Sequence, residues 1–203
     1  MAYIISADDI KKTLPRYSPE KSELFHRESA KLADTAYTQA IKERTEPLVI
    51  LMAGGTASGK SEYVSEYLTD TEAIILDGTL PTFTGAEIKI KRALKAEKRV
   101  AIHCVLPESF PVAFVAFLNR DRKFSDEHFY RTHSATRVTL LAIAEKYPDI
   151  PITIIMSKVT YTSNSSSMSF RELGFDNRPT LIEFLQREQY TEGSIKKLIT
   201  QSS

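Results

Sequence analysis

The stretch Gly54-Gly-Thr-Ala-Ser-Gly-Lys60-Ser61 decides the fold class of this chain. It matches the pattern G-x-x-x-x-G-K-[ST] at every fixed position, with an apolar run before it and a helical pattern after it. In such a loop the glycines let backbone N–H groups turn inward around phosphate oxygens, and the N-terminus of the following helix adds positive potential. The stretch therefore predicts a loop that binds the phosphates of a nucleotide.

The kind of nucleotide follows from what accompanies the loop. Lys60 is expected to reach the β- and γ-phosphates, and the Ser61 hydroxyl to complete the coordination shell of a Mg²⁺ ion. The chain lacks the guanine-reading sequence Asn-Lys-x-Asp, and Asp77-Gly-Thr is not the Asp-x-x-Gly of a GTPase switch. ATP and Mg²⁺ are therefore the predicted ligands. The residues predicted to bind the nucleotide are Gly54, Gly55, Thr56, Ala57, Ser58, Gly59, Lys60 and Ser61.

Outward from the loop, short β-rich runs alternate with longer segments of helical periodicity. The predicted strands cover residues 3–6, 48–53, 73–77, 99–105 and 151–156. The predicted helices cover residues 18–44, 59–68, 86–96, 110–118, 126–146, 180–189 and 192–199. Strands separated by helices pair in parallel. The sequence thus predicts an α/β fold in a single domain, residues 1–203: a three-layer sandwich of the P-loop NTPase type, with a mainly parallel sheet of about five strands. The Ser-rich residues 161–169 predict a flexible loop.

Composition restricts the partners of the chain. Its 27 Lys and Arg residues nearly balance its 26 Asp and Glu residues, which argues against binding to nucleic acid or anionic lipid by bulk charge. A signal-peptide pattern is absent, and no apolar run approaches the roughly 20 residues that span a bilayer. Cys104 is the only cysteine, so a reduced compartment is the default. His128 and His133 are poorly spaced for one helical face, and a zinc site is not expected. We expect a cytoplasmic protein without a nucleic-acid or membrane partner.

Carboxylates follow two of the predicted strands, at the edge of a parallel sheet where ligands bind. Asp8 and Asp9 come after the first strand, and Asp77 and Thr79 end the third. A phosphotransferase needs one carboxylate to orient and deprotonate the acceptor hydroxyl, and often a second to hold metal-bound water. Asp77 is the candidate for the metal and, with Thr79, for the acceptor. The alternative is that these side chains only cap the helix or turn that follows.

A basic cluster, Asn119-Arg-Asp-Arg-Lys123, lies between an apolar helix and a long amphipathic one. Many small-molecule kinases carry at this place a lid whose arginines neutralise the transferring phosphoryl group. Arg120 and Arg122 are therefore predicted to be catalytic, on a lid of about residues 120–135. The alternative is a solvated charge run.

These elements resemble the zeta-toxin family of P-loop kinases. The strand end Asp77-Gly-Thr79 is similar to the Glu-Gly-Thr element of that family, and Pro107-Glu108 is similar to its Pro-Glu. The apolar helix that ends at Arg120, with residues 124–133 after it, resembles the arginine-bearing lid. The resemblance covers about residues 73–146 and the phosphate loop.

The order of elements differs from that of the family. Zeta-type kinases place an Asp-x-x-Arg/Lys strand end behind the helix that follows the loop, but here only residues 69–72 separate that helix from the next strand. Residues 6–17, ahead of the loop, are similar to the missing element, which indicates a permuted order. On this alignment Asp8 takes the position of the catalytic base. Lys11 takes the basic position, where it would contact the substrate.

The resemblance implies ATP- and Mg²⁺-dependent phosphorylation of a hydroxyl group on a nucleotide sugar, typically UDP-N-acetylglucosamine. Because many members are toxins, it also implies an antitoxin protein as a partner. Three departures bear on the acceptor: Leu14 stands where the family often has His, Asp77 replaces Glu, and Pro81 replaces a frequently basic residue. The alternative function is an ATP-binding regulatory or interaction module with little turnover. Whether Asp8 or Asp77 is the base stays open at this point, although the alignment favours Asp8.

Overall fold

The computed structural model describes residues 1–161 and 166–202. The strands in this part of the chain are β1 (Tyr3–Ser6), β2 (Leu48–Ala53), β3 (Ala73–Asp77), β4 (Arg99–Pro107), β5 (Ile152–Tyr161) and β6 (Ser166–Leu173). The α-helices are α1 (Ala7–Lys12), α2 (His26–Glu43), α3 (Lys60–Tyr63), α4 (Phe83–Lys95), α5 (Phe110–Leu118), α6 (Asp126–Lys146), α7 (Arg178–Arg187) and α8 (Glu192–Thr200). A 3₁₀ turn, Pro19–Lys21, precedes α2, and a π-helical turn, Val64–Leu68, continues α3. Of the helices described, none combines the length and the apolar character needed to cross a lipid bilayer.

The strands form one sheet in the order β1-β3-β2-β4-β5-β6. Strands β1 to β5 run parallel, and β6 pairs antiparallel with β5. Because β1 lies beside β3 with Ser6 opposite Asp77, the residues that follow these two strands meet at one edge of the sheet. The predicted α/β fold with a mainly parallel sheet is confirmed.

The position of β2 inside the sheet explains why its sequence is almost continuously apolar. Val49 and Leu51 belong to a core shared with α2, α4, α6 and α7, whereas Ile50 and Met52 pack on the opposite face against α3 and the π-helical turn. Side chains of a strand alternate between the two faces of a sheet, and here both faces are covered by helices. The arrangement is compatible with the predicted three layers.

The hairpin of β5 and β6 differs from the prediction of five strands and a flexible loop over residues 161–169. Both strands extend into that stretch, and its residues 162–165 lie outside the described residues. Strand β6 is at the edge of the sheet, and over its residues 166–171 only the alternate side chains Met168 and Phe170 are half-buried. A run of serines therefore fits the exposed positions of this strand. Because the segment is rich in serine, its composition predicted a loop and not a strand.

The helix predicted to begin near residue 18 begins at His26 instead. Before it, the backbone N–H groups of four residues bond to carbonyls three residues earlier, which is the pattern of tight turns rather than of an α-helix: Lys21, Ser22, Leu24 and His26. Leu24, which lies in this segment, is 78% exposed.

Helix α6 is held at its C-terminal end by Arg178, the first residue of α7. Its guanidinium donates hydrogen bonds to the carbonyl oxygens of Ala144, Tyr147 and Ile150, at 2.9, 2.6 and 3.1 Å. The last carbonyls of a helix have no partner within the helix, and a cation at this end also suits the helix dipole. Arg178 therefore fixes the end of the helix that, at its other end, reaches the Gly-rich loop.

We predict that Arg178→Ala lowers the free energy of unfolding by about 2 kcal/mol, because three carbonyl groups lose a charged donor. Urea unfolding measures this change. Arg178→Lys should recover less than half of the loss, since an ammonium group lacks the planar fork that reaches three acceptors. An unfolding midpoint that is the same in Arg178→Ala and the unmodified protein would contradict the prediction.

Candidate functional site

The loop of residues 54–59 joins β2 to α3 and has the backbone that its fixed glycines allow. Gly54 has φ 138° and Gly59 has φ 90°, values at which side-chain-bearing residues are strained. A Cβ atom on Gly54 would also lie 2.4 Å from the carbonyl oxygen of Val105. Both glycines of the sequence pattern are thus required by the local geometry.

Helix α6 holds the loop at Thr56. The backbone N–H of Thr56 donates to Oγ1 of Thr132 at 3.1 Å, and Nε2 of His133 lies 2.9 Å from the Thr56 carbonyl oxygen. Burial and the positive charge of Arg137 lower the pKa of His133 well below its usual value. The imidazole is therefore neutral, and Nε2 carries the hydrogen because a carbonyl oxygen only accepts. Both polar atoms of the Thr56 backbone are bound by one helix.

The same face of α6 makes two further contacts with the site. The His133 ring occupies the place of a side chain at Gly55, where an added Cβ would lie 2.3 Å from the ring. One turn further along, Oγ1 of Thr136 donates to the carbonyl oxygen of Thr79 at 2.6 Å. The helix thus fixes the loop and the segment after β3 relative to each other.

Three predicted residues meet where the loop enters α3. Nζ of Lys60 donates to the carbonyl oxygen of Gly55 at 2.7 Å, and burial lowers the pKa of Lys60 although the carboxylate of Asp77 opposes this. Oγ of Ser61 donates to Oδ2 of Asp77 at 2.7 Å. Burial raises the pKa of Asp77, and the charge of Lys60 partly offsets the rise. A hydroxyl and a carboxylate therefore stand together beside the lysine.

Asp8 stands at the start of α1, with both of its carboxylate oxygens in ion pairs. Oδ1 lies 3.1 Å from Nζ of Lys11, and Oδ2 is paired with Nη1 of Arg122. Burial alone would raise the pKa of Asp8, but the charges of Arg122 and Lys11 outweigh it and lower the pKa to about 2. The carboxylate is ionised at neutral pH.

Lys11 lies inside the protein beside Asp8. Its side chain is fully buried, and its contact with a substrate stays a prediction. The ammonium group lies 3.4 Å from Oγ of Ser22 and 4.8 Å from the centroid of the Phe124 ring. The physical reason is the short helix α1, which places Lys11 one turn after Asp8 on its inner side. In this structure Lys11 pairs with the carboxylate of Asp8.

The two predicted arginines contact different sides of the site. Nη1 of Arg120 donates to Oγ1 of Thr56 at 3.4 Å, whereas Arg122 pairs with Asp8. Within the segment predicted to be a lid, residues 120–135, the residues from 126 onward belong to α6 and many are buried. Residues 119–125 form the connection between α5 and α6.

Two cavities share a wall at these groups. The α2–α4 cavity, of about 360 Å³, lies between α2 and α4, and the outer cavity, of about 700 Å³, lies on the side of β1 and α3. The residues that line both are Asp8, Ser61, Asp77, Arg120 and Arg122. Thr79, Lys60 and Thr56 also line the α2–α4 cavity. The predicted site residues other than Lys11 are thus brought together around the loop.

A third cavity, of about 220 Å³, lies on the opposite side of the loop and is called the β4–β5 cavity. Ala57 forms part of its wall, whereas the preceding Thr56 lines the α2–α4 cavity. Its other lining residues come from the end of β4, the start of α5 and the middle of β5: Pro107, Glu108, Ser109, Val112, Ala113, Ser157, Lys158 and Val159. The loop therefore separates two cavities.

Sequence reasoning missed the residues of α6 that hold the loop. Thr132, His133 and Thr136 are buried polar residues, and His133 had been considered only as a metal ligand. The signal that could have identified Thr132 and Thr136 is their spacing of four, which places two hydroxyls on one face of the helix. Their partners, backbone atoms of the loop, could not be read from the sequence.

Comparison with known proteins adds little. No protein-family model and no curated protein matches the chain. Among solved structures, the crystal structure of the native AvrRxo1-ORF1:-ORF2 complex is similar over 88% of this chain and 84% of that one, with 11% sequence identity and a TM-score of 0.47. A likeness this weak carries no argument about function.

We predict that Gly55→Ala lowers the free energy of unfolding by about 2 kcal/mol, because the new methyl group meets the His133 ring. His133→Ala should also be destabilising, since it removes a buried ring and a hydrogen bond. In the double variant the new methyl group has room. The loss of stability of the double variant should therefore be at least about 1 kcal/mol smaller than the sum of the losses of the two single variants. Denaturant unfolding of the four proteins measures this coupling, and strict additivity would contradict it.

We predict a pH dependence for the ion pair of Asp8 and Arg122. The pKa of Asp8 is about 2 against an ordinary 3.8, so its stabilising effect is complete above the ordinary value and is lost as the pH falls through about 2. Arg122→Gln should therefore cost less stability at pH 3 than at pH 6, as measured by urea unfolding.

The control is Arg27→Gln, at an exposed arginine of α2, whose effect should be the same at both pH values. A cost of Arg122→Gln that does not change between pH 6 and pH 3 would show that the pair does not lower the pKa of Asp8.

Proposed function

We propose that this protein is a kinase that transfers the γ-phosphoryl group of ATP to a hydroxyl of a small molecule, like the zeta-toxin family that its sequence resembles. The observation that carries the proposal is the pair of cavities on opposite sides of the loop. A nucleotide-binding module needs room only for the nucleotide, whereas a transferase needs a second site that holds the acceptor next to the reacting phosphoryl group. The α2–α4 cavity has that position, with Lys60, Asp77 and Asp8 in its wall.

The donor side of this proposal uses the loop and the β4–β5 cavity. The nucleoside would lie in that cavity, and the phosphates would extend over the loop toward Lys60. Burial disfavours the charge of Lys60, so phosphate oxygens would relieve a cation that has little water around it. The oxygens of Ser61 and Asp77, which already bond at 2.7 Å, fit the preference of Mg²⁺ for a hydroxyl or a carboxylate plus substrate phosphates. Held there, Mg²⁺ would neutralise charge on the β- and γ-phosphates.

The acceptor side of the proposal depends on Asp8. An ionised carboxylate can accept the hydrogen bond of the acceptor hydroxyl and hold its oxygen in line for attack. A pKa of about 2 makes Asp8 a weak base, but phosphoryl transfer has a loose transition state in which orientation and charge neutralisation dominate. If Arg122 turned from Asp8 to the transferring phosphoryl group, one of the two cations that lower this pKa would leave. Asp8 would then become a stronger base as the proton is released.

Arg120 completes the proposed machinery. It is bound to the loop through Thr56 and lines the wall of the α2–α4 cavity, from where it can neutralise charge on the transferring group. Asp77, already engaged with Ser61, is assigned to the metal, which leaves Asp8 as the base. A cytoplasmic setting belongs to the proposal through the composition of the sequence. An antitoxin partner, and UDP-N-acetylglucosamine as the first acceptor to test, belong to it only through the resemblance.

The competing function is an ATP-binding regulatory module, and three variants distinguish it from the kinase. Lys60→Ala should weaken ATP binding at least about tenfold, since it removes the cation of the phosphate site. Asp8→Asn should leave ATP affinity within about twofold but lower the turnover number at least about 100-fold. Titration calorimetry measures binding, and mass spectrometry of acceptors incubated with ATP and Mg²⁺ measures a product heavier by one phosphoryl group.

Asp9→Asn is the matched control, because Asp9 is the next residue and its carboxylate pairs with exposed Lys12. This variant should keep the turnover of the unmodified protein. ATP binding without a phosphorylated product from any acceptor would favour the regulatory module. Loss of turnover in Asp9→Asn but not in Asp8→Asn would contradict the assignment of the base.

A further inference from the structure

The α2–α4 cavity has a polar end and an apolar body. The polar end contains Asp8, Asp77 and the two arginines described above. The body is lined by small residues of two facing helices, Ala30 and Ala33 from α2 and Gly85 and Ala86 from α4, together with the ion pair of Asp34 and Lys89 from the same helices. Alanine and glycine leave space between helices that larger side chains would fill, and they offer no polar group to a ligand. The body of the cavity therefore suits an apolar or flat portion of a molecule.

One wall of the cavity is a cluster of three rings. Phe124 and His128 stack with ring centroids 4.4 Å apart, and the His26 ring meets both edge-on. Burial and the charges of His26 and Arg131 lower the pKa of His128 to about 4, and burial also lowers the pKa of His26. At neutral pH all three rings are uncharged. Such a wall favours a planar ring of the ligand through edge contacts.

The charged groups of the cavity are already paired or assigned. Among its described lining residues the cations are Lys60, Lys89, Arg120 and Arg122. Lys89 pairs with Asp34 at 2.9 Å and Arg122 pairs with Asp8, while Lys60 and Arg120 contact the loop. A phosphate or carboxylate group on the acceptor would have to break one of these pairs, or lie beside the carboxylates without a cation.

From this lining we propose that the acceptor is an uncharged hydroxyl compound that carries a flat ring. The inference rests on the proposed function and narrows it, because it disfavours acceptors that carry phosphate groups, the nucleotide sugars implied by the resemblance included. The ring would lie along Phe124 and His128, between the small residues of α2 and α4. The hydroxyl would reach Asp8 at the polar end.

Four compounds distinguish the effect of a flat ring on binding from the effect of a negative charge. Uridine has a flat ring and no charge, and uridine 5′-monophosphate has the ring and a charge. N-acetylglucosamine has neither, and its 1-phosphate has the charge without the ring. Binding is measured by calorimetry with a non-hydrolysable ATP analogue and Mg²⁺ present. We expect uridine to bind at least about tenfold more tightly than each of the other three. Equal or tighter binding of the monophosphate would overturn the charge part, and equal binding of N-acetylglucosamine would overturn the ring part.

Two α2 variants test whether the α2–α4 cavity is the site that binds uridine. Ala30→Leu fills the cavity and should weaken uridine binding at least about tenfold, whereas Ala36→Leu changes an equally half-buried alanine that does not line it. Ala36→Leu should bind uridine like the unmodified protein. Equal uridine binding in the two variants, or no detectable uridine binding at all, would overturn the inference.

A third variant tests whether the pairing of the cavity's cations disfavours charged ligands. Asp34→Asn frees Lys89 and removes a carboxylate, so it should reduce the preference for uridine over its monophosphate at least about fivefold. An unchanged preference would overturn the role of this ion pair. The proposed function is tested separately, by the search for a phosphorylated product. If the compounds bind as expected but no acceptor is phosphorylated, the kinase function is contradicted, whereas the inferred ligand preference of the cavity is not.

Discussion

The two hydrogen bonds that α6 makes to the backbone of Thr56 constrain the rest of the site. They bind the N–H and the carbonyl oxygen of one loop residue to side chains of adjacent helical residues, Thr132 and His133. A helix is stiff, so the loop cannot shift without α6, and Arg178 holds the far end of that helix. The Gly-rich loop is therefore positioned by tertiary contacts as much as by its own glycines.

The ion pairs of Asp8 are a second constraint. Directly or through Lys11, this carboxylate links α1, the connection between α5 and α6, and the segment that contains Ser22. Lys11 comes from the same short helix, and Arg122 comes from the connection between α5 and α6. Lys11 in turn contacts Ser22 and the Phe124 ring, which belongs to the wall of the α2–α4 cavity. The group proposed to orient the acceptor is thus linked to the surface proposed to select it.

The sequence allowed the regular elements to be predicted well and the side-chain contacts poorly. The bounds of β2, β3 and α6 were predicted because apolar runs and helical periodicity report burial directly. Strand β6 was missed because an exposed edge strand needs few apolar residues. The loop was predicted from local backbone chemistry, which a motif encodes. The burial of Lys11 and the pairing of Arg122 with Asp8 depend on how distant segments pack, and no local pattern records that.

The place of β1 in the sheet has a consequence for how the site loses order. This four-residue strand lies at the edge and pairs with β3 alone, whereas β2 lies between β3 and β4. Edge elements with few buried contacts open by local unfolding at a lower free energy than central strands. Amide hydrogens of β1 therefore exchange with solvent before those of β2. In such an opening the carboxylate of Asp8 would leave the site, whereas the loop at the end of β2 would stay folded.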